Sequence, residues 1–489
     1  MSEKVLAPTI VLVVQQGFGA RVLLQTEVLP TLIKAGARVV VLSSDKSTTK
    51  RYLCARGIDI GVEEIASAEY QLQASAPIAR ALQLCRSYGL RSQTVDDHFK
   101  MQWKDALRLQ SVRGMMFLGI VWVITRLMRR SRFVMKVVVG LENTLDCPRA
   151  HDSFFRKYRP DVLVVTSLGT FDEDRYLMRE AKRNHCRVIS YVLSWDNTTV
   201  RGLGIGLSDK VIVWSNVMKD ELIRLHKISA EKVAVCGVPH YDYYINEAAK
   251  IPTKEKLLKL FNLIPGKRLL LLATKSPNTF LYNPDIALEI CHAIKDGRLP
   301  RDCHLIARLH PIYFRRSGAA NKARPFLDEW ESVERQYGED CLTIDYPSMI
   351  PGGLKMFMHD NEIPKLASLL KHSEVVINMF STLNIEASIF DTPAINVAFD
   401  FEHKSPPGDK IARFNIHYDE VQTHNQRIVK SGGVSMARST EDMIQQISNY
   451  LDNPNSEADG RRRIVESVCG ANLGEAGKAL AGEILQAIN

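Results

Sequence analysis

The stretch Glu374-Val375-Val376-Ile377-Asn378-Met379-Phe380-Ser381-Thr382-Leu383-Asn384-Ile385-Glu386-Ala387 continues, after Ser388-Ile389, as Phe390-Asp391-Thr392-Pro393-Ala394-Ile395-Asn396-Val397. It reads as strand, Ser-Thr helix start, helix, turn and strand, which is one βαβ unit of a parallel sheet. Two hydroxyls and the free N–H groups of a helix start make a cradle for a diphosphate. Glu386 lies one helical turn beyond Thr382, where it is placed to accept from ribose hydroxyls. Simple capping accounts for Ser381 but not for the whole arrangement.

Outward from this unit the same alternation fills most of the chain. Apolar runs at Arg268–Ala273, His304–Leu309, Cys341–Ile344, Val375–Asn378 and Ala394–Val397 form one series of strands. An earlier series runs through Thr9–Val14, Arg38–Leu42, Asp161–Thr166, Arg187–Leu193, Lys210–Trp214 and Val233–Cys236. Helical patterns lie between, so the predicted class is α/β with two successive Rossmann-like domains facing across a cleft. Ligands of open α/β sheets bind at the carboxyl ends of the strands. The joint is expected within 245–266, giving domains of 1–248 and 249–460, with a helical tail 461–489 packing back on the first.

The 489 residues are 45% hydrophobic and 24% charged, which suits a globular chain of two or three domains and excludes a disordered one. Nine cysteines without a CxxC pair point to a reducing compartment and give no support to a zinc site. The N-terminus lacks a signal h-region, and no run reaches the roughly 18 apolar residues needed to span a bilayer.

The net charge of +9 admits nucleic acid, an anionic membrane surface or anionic small substrates. Its location decides among them. Residues 99–140 hold nine Lys/Arg (100, 104, 108, 113, 126, 129, 130, 132, 136) against Asp105 alone, so this stretch, within an insertion at about 95–140, carries nearly all of the surplus. Within it, Met115–Ile124 is too short to span but long enough to lie in a headgroup interface beside anionic lipid. A buried helix with a solvated basic face, or docking to a partner protein, are the other readings. Nucleic acid is not expected, because the folded domains are left near neutrality.

Further candidates sit at predicted strand ends. Gly17-Phe18-Gly19 follows the first strand, either as a tight turn or as a loop lining the acceptor side; it does not match the GxGxxG pattern. Thr170 lies in Thr166–Asp174, whose acids also fit helix capping. Asp196, after the strand ending at Leu193, is the preferred base, with an Asx turn as the plain reading. His240, in Gly237-Val238-Pro239-His240-Tyr241-Asp242, is the reserve, or else hinge packing. Arg308 and His310, in Arg308-Leu309-His310-Pro311, offer donors to phosphate oxygens, unless His310 is simply buried and satisfied by backbone.

Together these residues resemble glycosyltransferases of the GT-B fold, nearest to the CDP-glycerol glycerophosphotransferase and capsule sugar transferase group. The likeness rests on Arg308-Leu309-His310-Pro311, Ser373–Asn378, Ser381-Thr382, Glu386-Ala387 and Thr392-Pro393, and extends over about residues 155–400. It implies that His310, Ser381 and Thr382 contact the donor diphosphate. That group carries Asp-Tyr-Ser-Ser where this chain has Met379-Phe380-Ser381-Thr382 after Asn378, so a sugar nucleotide fits better than CDP-glycerol.

The implied reaction is metal-independent transfer of a sugar from a nucleotide-sugar co-substrate to a glycan, lipid-linked or protein acceptor hydroxyl in bacterial cell-surface glycan synthesis. Arg308 and His310 would neutralise the leaving group. No other cofactor is implied. Such a protein is expected in the cytoplasm, at the inner face of the plasma membrane if residues 99–140 bind it. Two alternatives stand: a non-hydrolysing UDP-sugar 2-epimerase, whose helix start is of Ser-Gly-Gly type unlike Ser381-Thr382-Leu383, and a non-catalytic GT-B scaffold.

Overall fold

Val, Ile and Leu without alternation make strands that are buried on both faces, and two parallel sheets result. The computed structural model describes residues 7–314, 324–404 and 415–488. These divide into two compact units. One holds the residues up to Asp242 together with Ile350–Phe357 and the chain from Cys469 onward; the other holds Tyr243–Met349 and Met358–Val468.

The sheet of the first unit comprises β1 (Thr9–Val14), β2 (Arg38–Ser43), β3 (Gly61–Glu64), β4 (Val162–Val165), β5 (Arg187–Tyr191), β6 (Lys210–Val213) and β7 (Val233–Val235). Its order is β3-β2-β1-β4-β5-β6-β7, all parallel, with Thr9 opposite Arg38 and Ile10 opposite Val162. The order reverses between β1 and β4, the switch point at which such sheets bind ligands. Every residue of β1 is buried.

The second unit carries β8 (Arg268–Ala273), β9 (Cys303–Arg308), β10 (Leu342–Asp345), β11 (Ser373–Asn378), β12 (Ala394–Val397) and β13 (Ser435–Ala437). They are ordered β10-β9-β8-β11-β12-β13, again parallel, with the switch between β8 and β11. The expected α/β class with two Rossmann-like sheets is what forms.

Boundaries differ from the sequence reading for local reasons. The first unit closes at Asp242, ahead of 248, because the Asp242 carboxylate accepts N–H bonds from Gly474, Ala476 and Gly477 at 2.7–3.0 Å. The returning tail starts at Cys469 rather than 461, since the helix Ala458–Val468 stays with the second unit. There Arg461 bonds to Asp391 at 2.7 Å, and a Cβ at Gly460 would lie 2.1 Å from the Gly432 carbonyl oxygen.

Between β3 and β4 the chain forms a helical layer. Its helices include Pro77–Gly89, Gln93–Arg108, Val112–Arg130 and Arg132–Leu145, so the insertion is longer than 95–140. Three serines open the last three: Ser92, Ser111 and Ser131 each accept the N–H three residues on. Cys85, Leu90, Val95, Val121, Met128 and Leu203 form its own small core. A buried ion group joins it to the helix Asp172–Arg183. In that group Glu142 takes Arg86 at 2.7 Å and Arg179 at 3.0 Å, and Asp146 takes Arg179 at 2.8 Å.

Candidate functional site

In the second unit the loop after β11 is shaped by three buried asparagines. Asn378 Nδ2 donates to Asn384 Oδ1 at 2.7 Å, and Asn384 Nδ2 donates to Asn396 Oδ1 at 3.0 Å. Two of these side chains also hold the backbone: Asn396 Oδ1 accepts the Phe380 N–H, and Asn378 Oδ1 accepts the Ser381 N–H, both at 2.9 Å. This grip keeps Phe380 at φ +55°, a left-handed conformation that a bulky residue adopts only when its surroundings impose it.

The helix that follows is Leu383–Ile389, with Thr382 at its N-cap. The Ser381 hydroxyl accepts the Leu383 N–H at 3.2 Å, and the Asn384 N–H bonds to the Ser381 carbonyl. The N–H groups expected to be free are therefore largely taken. What remains without a protein partner among the described residues is the Thr382 hydroxyl and N–H, half-buried beside Ser381. Glu386, buried on this helix, accepts a hydrogen bond from the Tyr244 hydroxyl.

His310 follows β9. Its N–H donates to the Thr274 hydroxyl at 2.8 Å, tying the ends of β8 and β9 together. Its Nδ1 accepts the Ile312 N–H at 3.1 Å, and burial pulls its pKa down to about 4. At neutral pH the ring is uncharged with its proton on Nε2, a donor rather than the expected counter-charge.

Arg308 is not available to a phosphate. Its buried guanidinium is held by Asp345 and by Glu362, the latter at 2.7 Å. Lys365 meets the same two carboxylates at 2.9 and 2.8 Å, so two cations and two anions close on themselves. This corrects the donor-binding reading of Arg308.

In the first unit, Gly17 serves the chain itself. Its N–H donates to the Lys355 carbonyl at 2.7 Å, and a Cβ there would lie 2.0 Å from the Met356 carbonyl oxygen. The returning segment Ile350–Phe357 thus covers the loop expected to line an acceptor. Gly353 N–H to Asp45 and Arg51 to the Pro351 carbonyl at 3.1 Å complete its seat. A Cβ at Gly19 would meet only Thr166 at an ordinary 3.5 Å.

Thr170, half-buried, donates its N–H to the Ser167 hydroxyl at 3.2 Å. Ser167 donates in turn to Asp174 at 2.6 Å, and Gln15 donates to the same carboxylate. Through these two bonds Asp174 links the segments that follow β1 and β4, and burial raises its pKa to about 7.

Asp196 stands in the turn after β5, half-buried, with its carbonyl accepting N–H bonds from Thr199 and Val200. Its carboxylate has no hydrogen bond or ion pair among the described residues. His240 is buried among Phe18, Trp214 and Tyr241, with ring centroids 5.0, 5.6 and 4.5 Å away. Burial, then the charge of Arg21, hold it well below the usual histidine range. No hydrogen bond joins His240 to Asp196.

The structure thus gathers His310 with Thr274, and Ser381-Thr382 with the asparagine triad. Thr274 and the asparagines were not singled out from sequence; Thr274 and Asn378 are polar residues closing apolar strands, while Asn384 on the helix and Asn396 within β12 carry no such signal. Among the described residues no group of three or more His, Cys, Asp or Glu side chains is arranged to hold a metal ion.

No protein-family model matches the chain, and no curated protein does. Solved structures do match in fold. A Listeria monocytogenes protein assigned as a UDP-N-acetylglucosamine 2-epimerase is 11% identical over 99% of this chain and 96% of its own, with a TM-score of 0.55. UDP-GlcNAc 2-epimerase from Neisseria meningitidis, bound to UDP-GlcNAc, is 11% identical over 98% and 100%, at 0.53. The S. aureus MnaA structure with UDP is 11% identical over 98% and 96%, at 0.54. The fold is of the GT-B type. At this identity the likeness carries the architecture and nothing finer.

Proposed function

We propose that the chain is a nucleotide-sugar enzyme whose donor diphosphate sits at the carboxyl ends of β9 and β11. The observation that carries this reading is a loop built to be rigid, with Ser381 and the unpartnered Thr382 at its tip, in the same unit as a neutral His310. Three buried asparagines hold Phe380 in a strained conformation, and strain of this kind is kept where the surroundings over-determine a loop's shape. Neutral O–H and N–H donors suit a diphosphate whose charge grows as it leaves.

The reaction we favour is glycosyl transfer. An acceptor hydroxyl attacks the anomeric carbon, the bond from that carbon to the diphosphate oxygen breaks, and the acceptor proton passes to the base. Asp196 takes the role of base in the first unit, since its carboxylate is half-exposed and otherwise unengaged; His240 is too enclosed for it. Epimerisation at C2 is the second reading, favoured by the UDP-GlcNAc and UDP found in structures of the same fold.

A screen of UDP, CDP, GDP, CMP and their sugars by thermal shift identifies the donor, because a ligand that binds only the native state raises Tm. Proton NMR of the donor then separates the reactions. Donor consumed only when an acceptor is supplied supports transfer. A C2 epimer appearing without acceptor replaces it with the second reading, and a bound but unchanged donor leaves a scaffold.

A further inference from the structure

Among the described residues, thirteen of the twenty exposed large hydrophobic side chains fall between Leu107 and Leu145. They are ordered. On the helix Val112–Arg130, Val112, Met116, Ile120, Val123 and Leu127 recur every three or four residues and are 51–67% exposed. Leu118, Val121, Thr125 and Met128 form the buried row of the same helix. At about 100° per residue the two rows lie about 160° apart, so the helix is apolar on opposite sides while the core uses one. The helix Arg132–Leu145 repeats the pattern, with Phe133, Val137, Leu141 and Leu145 exposed. Isolated exposed apolar residues need no explanation, but ordered rows on adjacent helices do.

Beside the first row opens a cavity of about 650 Å³. Five cationic side chains line it, Arg91, Lys100, Arg126, Arg129 and Arg130, against the single carboxylate of Asp96. Arg129 is structural: it bonds to Asp96 at 2.6 Å and to the carbonyls of Tyr88 and Leu90. Arg126 lies over the Trp122 ring, 5.1 Å from its centroid. Arg91 and Arg130, both exposed, make no hydrogen bond or ion pair among the described residues, which leaves their guanidinium groups open to solvent or to a ligand.

We propose that the two apolar rows enter the headgroup region of an anionic bilayer, and that the cavity takes the phosphate of an anionic phospholipid. Charge selects this occupant. Residues 99–140 carry nine Lys/Arg and one acid, so a second copy of the chain would bring like charge against like. Nucleic acid would have no use for the apolar rows. An interfacial helix with cations and Trp at its margins matches a membrane surface in both chemistry and depth. No helix among the described residues is long and apolar enough to cross a membrane, so the contact is with the surface. The inference is independent of the nucleotide reading, and its test contains no nucleotide.

Flotation of the full chain with phosphatidylcholine vesicles, with and without phosphatidylglycerol, tests it. The protein should float only with phosphatidylglycerol present. Arg126→Ala with Arg130→Ala should weaken that partition by about thirtyfold. Met116→Ser, Val123→Ser and Phe133→Ser together should abolish flotation. All five residues are exposed, so Tm should hold in both variants; light scattering reports the oligomeric state. A wild-type protein left behind by phosphatidylglycerol vesicles overturns the proposal. So does a cavity variant that floats like wild type, or a dimer that the row variant dissociates.

Discussion

Asn378 donates to Asn384 across 2.7 Å, joining the end of β11 to the first turn of the helix that follows it. With Asn396 this bond sets the loop on which Ser381 and Thr382 are presented. Asn384→Ala leaves Asn378 Nδ2 without its acceptor and Asn396 Oδ1 without one donor, both buried. It should cost about 3 kcal/mol of stability in urea unfolding. Nucleotide affinity should fall with it, because Phe380 and Ser381 lose their template.

Arg308 should prove to be a structural residue. Arg308→Ala leaves the buried carboxylates of Asp345 and Glu362 short of a cation and should lower stability by about 3–5 kcal/mol in denaturant unfolding. In the folded fraction donor affinity should stay near that of wild type. An affinity loss without a stability loss would return Arg308 to the binding site.

His226 gives a pH dependence of known sign. It is buried in the first unit, with Nε2 against the Thr198 carbonyl at 2.8 Å, and burial lowers its pKa from 6.5 to about 4. Below pH 6.5 the unfolded chain takes up a proton that the folded ring refuses. Its contribution is therefore full above pH 6.5 and is lost as pH falls toward 4, by about 3 kcal/mol at most. Urea unfolding of His226→Gln across that window should show a shallower acid loss than wild type.

Asp196→Asn removes the proposed base while keeping size and turn geometry. Turnover should fall by about 10²–10⁴, with donor affinity unchanged by calorimetry. A fully active variant would move the base elsewhere.

Strands buried on both faces were legible because apolar runs bounded by loops leave little choice; Thr9–Val14, Arg268–Ala273 and Ala394–Val397 lie where the pattern puts them. Two of the four edge strands were not. In Gly61–Glu64 only Val62 is buried, and Ser435–Ala437 is three residues long, so neither writes an apolar run. At the site, Ser381 and Thr382 stand out as hydroxyls at a strand-to-helix turn, whereas the role of Arg308 depends on Asp345 and Glu362, 37 and 54 residues away. A cation at a strand end reads the same whether its partner is a ligand or a carboxylate that register brings alongside. Gly17 is a parallel case: its need for a missing side chain comes from Met356, which no local pattern announces.

The Ser381-Thr382 loop should hold a nucleotide diphosphate, and calorimetric titration measures this. The nucleotide identified by thermal shift is titrated into wild type and into Ser381→Ala with Thr382→Ala, with Tm confirming that both are folded. Removing two donors to a charged diphosphate should weaken binding by about 2–4 kcal/mol, a loss of roughly thirtyfold or more. Unchanged affinity in a folded double variant would contradict the account.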